Sequence, residues 1–218
     1  MDYTHIEIIE LTDAEEDYLD KLDEAAILMA RDESLESVLD LLFEVCGAAP
    51  ETPLYYEPQT GREIIRFWSD EDLQYFIGWH EEEQQPVSCY GKACIYARAY
   101  YLLGYLLIEV EDWPNAYDAL SQAKLYDPHY CYYDMELCHV LIMNGAIDEA
   151  YELVKPNLQF SPYHPPHLMA RVFRTLGYIA IEEGELNFAR ECYEDSLEYD
   201  PDSDLARQQI DYIVTRIN

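Results

Sequence analysis

ARVFRTLGYIAIEEGELNFARECYEDSLEYDP, residues 170–201, decides the fold. It reads as two short antiparallel helices broken at Gly184, since a glycine is the usual residue just past a helix end. Phe173, Leu176, Gly177 and Ala180 recur at helical spacing in the first helix, and Ala189, Tyr193 and Ser196 in the second. Each type has a packing reason. Gly177 and Ala189 are small where the two helices must cross, and Tyr193 fills the gap to the next pair. Pro201 closes the unit, because proline ends a helix and biases the residue before it away from helical angles.

The same marks recur upstream. Aligning Leu103-Gly104 with Leu176-Gly177 adds Tyr100, Ala116, Leu120, Ala123 and Pro128 to a unit at 97–130. A weaker copy at 131–164 keeps Leu137, Gly145, Ala150 and Pro162, with Cys138 at the small crossing place. Pro128 and Pro162 stand 34 residues apart, while Pro162 and Pro201 stand 39 apart, so five residues are inserted around Tyr163–His167. A last helix at 203–217 carries Leu205, Ile210, Ile213 and Ile217.

This pattern resembles the tetratricopeptide repeat (TPR) family, whose period is 34 residues. The resemblance covers residues 97–218 and implies an all-α chain, an α-solenoid of helical hairpins with repeats at 97–130, 131–164 and 170–203. The helix at 203–217 is the capping helix such arrays need over their open apolar face.

Residues 1–88 lack the repeat and are expected to form a separate helical region ahead of an array at 89–218. Tyr3 to Leu11 alternates like a short strand. Thr12-Asp13 with Glu15-Glu16 starts a helix, Ser34 starts a second, and Gly47 ends it. Leu54–Tyr56 and Glu63–Trp68 flank Pro58-Gln59-Thr60-Gly61, which predicts a β-hairpin at 54–68. Ser69 then caps a third helix.

Composition narrows the partners. The 218 residues carry 45 acidic against 13 basic side chains, a net charge of -32, and half are hydrophobic. That excludes a disordered chain, and it argues against direct binding to nucleic acid or an anionic membrane. No apolar run approaches the ~18 residues of a membrane span, and Met1-Asp2-Tyr3 opens no signal peptide. The six cysteines form no CxxC pair, which fits free thiols in the cytoplasm.

In the family the resemblance names, the first helix of each pair lines a concave surface. Its ligand-facing places fall here on Arg98, Tyr101, Tyr105, Ile108 and Glu109, then Tyr132, Met135, His139, Ile142 and Met143, then Arg171, Arg174, Tyr178, Ile181 and Glu182. Arg98, Tyr101, Tyr105, Tyr132, Met135, His139, Arg171, Arg174 and Tyr178 form the expected peptide-binding groove. Arginine forks suit carboxylates and tyrosines give contact area at low entropic cost, so the expected ligand is a peptide with at least one acidic group. Against this stands a groove already filled by the first 88 residues or by the chain's own acids. The family's clamp for a peptide C-terminal carboxylate is absent, with Tyr105 and Thr175 at two of its places.

No phosphate loop, HExxH or nucleophile elbow is present. His129, Cys131, Cys138 and His139 suit zinc by ligand type, but Cys131 and Cys138 are seven apart on one helix face. Structural thiols are the simpler reading, and His164 and His167 flanking two prolines are a weak signal. The sequence thus predicts no catalytic residue, no metal and no cofactor. It predicts a non-enzymatic interaction scaffold, an adaptor or partner-specific chaperone for another protein or peptide. The alternative is an acidic stoichiometric inhibitor, immunity-type or a nucleic-acid mimic, whose convex face meets a basic protein such as a nuclease.

Overall fold

A computed structural model describes residues 4–31, 34–159 and 161–217. Tyr3, where the expected first strand begins, and Asn218 lie outside the described residues. The chain divides into two compact units, Met1–His129 and Tyr130–Asn218.

The first unit opens with β1 (His5–Ile8), α1 (Asp13–Ala30) and α2 (Leu35–Gly47). A capping box starts α1: Thr12 accepts from the Glu15 amide while the Glu15 carboxylate accepts from the Thr12 amide. Ser34 caps α2 through the Ser37 amide. β2 (Ile64–Phe67), α3 (Asp70–Glu82) and β3 (Ser88–Ala93) follow, then α4 (Tyr96–Glu109) and α5 (Trp113–Tyr126).

The expected hairpin is present close to its turn, where the Ile64 amide donates to the Tyr55 carbonyl at 2.7 Å and the Glu57 amide to the Arg62 carbonyl at 2.8 Å. Tyr56 and Glu63 form one antiparallel bridge, and Gly61 takes the positive φ of +69° that the turn requires. Its second arm then joins a three-stranded parallel sheet of order β1-β3-β2. The central strand, β3, was not expected. Its SCYGKA sequence has no clear alternation, and Gly91 is there because a Cβ would come within 2.8 Å of Ile8 on the neighbouring strand.

The division after residue 129 follows from packing. Leu22 and Ala25 of α1 and Val38, Leu42 and Val45 of α2 share one core with Ile95, Ala99, Leu103 and Ala119 around α4 and α5. Helices α1 and α2 therefore complete the apolar face of the α4–α5 pair.

The second unit contains α6 (Tyr132–Met143), α7 (Ile147–Val154), α8 (Pro166–Glu183), α9 (Leu186–Tyr199) and α10 (Asp204–Ile217). Gly184 ends α8 in the left-handed region at φ 81°. The inserted residues are shared out differently from the expected loop at 163–167. A 3₁₀ turn at Lys155–Leu158 cuts α7 short at Pro156, and α8 starts early at Pro166, so His167 is helical. In α10 Ala206 and Ile213 are buried, whereas Leu205 and Ile217 of the expected apolar face are exposed.

Helix crossings are set by two glycines. A Cβ on Gly104 would lie 2.6 Å from Leu120 Cγ, and one on Gly177 would lie 2.7 Å from the Tyr193 ring. Gly177→Ala must displace a ring that is 3% exposed, and it should destabilise the chain by about 1–3 kcal/mol. Gly78, mid-helix in α3 with open space around its Cα, should respond oppositely: Gly78→Ala gains about 0.5–1 kcal/mol. Urea unfolding of the two variants checks both signs.

Candidate functional site

Six of the nine expected groove residues line one cavity of about 600 Å³ in the second unit: Tyr132, Met135, His139, Arg171, Arg174 and Tyr178. They come from the first helices of two successive pairs, α6 and α8. Tyr193, Asp200, Leu205 and Gln209 close the cavity on the α9–α10 side. His139 and Tyr178 are exposed and Tyr132 is half-buried. Met135 is 3% exposed and belongs to the core, so it forms wall rather than contact surface.

Both arginines are held by the chain's own acids. Arg171 donates to the buried Glu136 carboxylate and stacks over the Tyr132 ring at 4.7 Å. Arg174 Nη1 donates to Asp200 Oδ2 at 2.9 Å. The cavity's two cations are thus matched by two anions, and an incoming carboxylate meets donors already in use. A guanidinium has five N–H groups, so Arg174, bonded to Asp200 through Nη1, keeps capacity for a further acceptor. Burial, with the Glu182 charge beside it, pushes the Tyr178 phenol above its ordinary pKa, and burial pushes Tyr193 up to about 12. Both phenols are neutral hydrogen-bonding groups at neutral pH.

Arg98, Tyr101 and Tyr105 are in the first unit. Arg98 Nη2 donates to Asp23 Oδ1 of α1 at 2.8 Å, and the Tyr101 ring packs edge-on against Trp68 at 5.1 Å. Elements before residue 88 therefore cover this part of the α4 surface, while Tyr105 stays 40% exposed. Glu136 was missed, although it is four residues after Tyr132 and three before His139, which puts it on their helix face. His167, counted among the inserted residues, precedes Arg171 by one turn of α8.

The cysteine and histidine readings resolve individually. His129 Nε2 is 3.1 Å from Glu63 Oε1, and the Cys138 thiol donates to the Ala150 carbonyl at 3.2 Å. Among the described residues no group of three or more His, Cys, Asp or Glu is placed to hold a metal ion, and none of the helices is long and apolar enough to cross a membrane.

No family model matches the sequence, and no curated protein resembles it at a significant level. Solved structures do. The MamA RS-1 ArsTM double mutant matches over 96% of this chain and 88% of its own, at 14% identity and a TM-score of 0.55. The fold is a TPR-type α-solenoid. The TPR domain of Sgt2 from Aspergillus fumigatus (17% identity, 56% of this chain and 78% of that one) gives a TM-score of 0.49. The first TPR domain of Spaghetti (RPAP3) bound to an HSP90 peptide gives 0.48 at 14% identity, over 56% of this chain and 92% of that one.

All six cysteines are free and buried. Burial pushes Cys46, Cys131 and Cys192 up to about 12 and Cys89 up to about 11. The thiolate is the reactive form, so Ellman's reagent at pH 8 should label the native chain only as fast as it opens. The folded state holds these protons more tightly than the unfolded one. Their contribution to stability is therefore full below pH 9 and lost as the pH rises from 9 towards 12, which alkaline urea titrations would show.

Proposed function

We propose that this chain is a non-enzymatic protein-interaction scaffold that holds a segment of another protein in the cavity between α6 and α8. The observation that supports this most is the convergence of Tyr132, His139, Arg174 and Tyr178, with the Tyr132-stacked Arg171, on one open concavity. Its walls alternate aromatic faces with groups that donate hydrogen bonds, which is what an extended or helical peptide needs for anchoring and register. An acidic residue of the ligand would sit beside Arg171 and Arg174 and take N–H groups that Asp200 leaves on Arg174. Because those arginines are already neutralised, the acid adds selectivity and the aromatic contacts supply most of the affinity.

A second reading rests on the net charge of -32: a stoichiometric acidic inhibitor meeting a basic protein on its outer surface. The two differ in salt response, since surface charge pairing weakens steeply with ionic strength. His139→Ala with Tyr178→Ala removes two exposed side chains and leaves the Arg171–Glu136 pair intact. Affinity capture from the source cells' lysate should lose the partner in this double variant, by about tenfold or more, and keep it in high salt with the unaltered chain. A partner that survives the double variant but is lost in high salt would replace the groove reading with the inhibitor.

A further inference from the structure

A second cavity, in the first unit, has a chemistry of its own. It encloses about 420 Å³ where the ends of β1 and β3 meet the start of α1 and the loop before β2. Apolar walls come from Pro50, Pro53, Leu54, Tyr96 and Tyr126. Tyr126 is fixed by donating to the Pro50 carbonyl at 2.6 Å. A cavity of this size, with prolines and aromatic rings on its walls and a small number of charged groups, suits a small molecule.

Four charges line it: Arg66, Lys92, Glu15 and Glu57. Arg66 of β2 and Lys92 of β3 are register partners, so two cations stand side by side on one face of the sheet. Lys92 Nζ is paired with Glu15 Oε1 at 2.6 Å. The Glu57 carboxylate is taken up by its own turn, accepting from the amides of Gln59 at 2.8 Å and Thr60 at 2.6 Å. Arg66 donates one bond to the Leu54 carbonyl at 2.8 Å, and no carboxylate lies within salt-bridge distance of it among the described residues. In a chain with more than three acids for every base, a guanidinium left to a backbone carbonyl at the mouth of a cavity is a positive charge without an ion pair.

We propose that this cavity binds a small organic monocarboxylic acid, its apolar body against the prolines and tyrosines and its carboxylate on the Arg66 fork. The two cations and two carboxylates of the lining balance. Arg66 is the one of the four that neither an ion pair nor its own turn holds among the described residues, so its fork is the place for a carboxylate. A monocarboxylate adds one negative charge beside Glu15 and Glu57 and a doubly charged phosphate adds two, so the carboxylate is favoured. The site is independent of the α6–α8 cavity, and either can fail alone.

The test uses the full chain and two probes, 3-phenylpropanoate and hexanoate, each beside its amide, in ligand-observed NMR titrations. Both acids should bind more tightly than their amides, which retain the apolar body without the charge. Arg66→Met should weaken the acids at least about tenfold, with circular dichroism reporting the fold. Glu15→Gln keeps a side chain able to complete the capping box and removes the competing anion, so acid binding should tighten. Acids that bind no better than their amides to the unaltered chain overturn the proposal, as does acid binding that is unchanged in a folded Arg66→Met.

Discussion

The contact on which the helical architecture depends is the one that cannot be widened: a side chain of the second helix occupying the space of an absent Cβ on the first. Leu120 does this against Gly104 and Tyr193 against Gly177. At that separation the two helices bury their shared face without a filler between them. The remaining apolar residues on each helix are then aimed at whatever is stacked next. In the second unit Leu176 and Ile179 of α8 reach Ile142 and Ala150 of the preceding pair, while Ala180 and Tyr193 reach Ala206 and Ile213 of α10. No pair satisfies its own surface, and the array is the consequence.

The sequence made this legible because glycine, alanine and proline at fixed spacing mark steric facts, which a chain cannot disguise. The helix starts at Thr12, Ser34 and Ser69 were equally plain, since each side chain accepts from the amide three residues on. The sheet was not legible. Its strands are four to six residues long and pair across long separations, so no local alternation or turn announces them. Glu63–Trp68 reads as one arm of a hairpin because the turn at Gly61 is real, yet the competing parallel edge of β3 captures that arm.

The candidate site divides in the same way. The first-helix faces of α6 and α8 could be placed residue by residue, and Tyr132, His139, Arg171, Arg174 and Tyr178 do meet around one cavity. The state of their charges could not be read. Glu136 and Asp23 sit far in sequence from Arg171 and Arg98, and only folding decides which of so many acids each arginine meets. In a chain this acidic, pairing is the default and the exception is informative. Arg66 is such an exception, and nothing in its neighbourhood IIRF marks it.

The order of the sheet has a consequence for how the chain is made. His5 faces Ser88 across β1 and β3, and Ile64 faces Tyr90 across β2 and β3, so the strand that holds the sheet together is the last of the three to be synthesised. Until Ala93 has left the ribosome, β1 and β2 have no central partner, and α1 and α2 wait with their inner faces unburied until α4 follows. The helix pairs of the second unit close through neighbours a few residues away. Contacts that span long stretches of chain form slowly, and local ones quickly. The half of the protein that emerges first is therefore the half that must wait longest, and its early apolar segments are the ones a growing chain has to keep from other company.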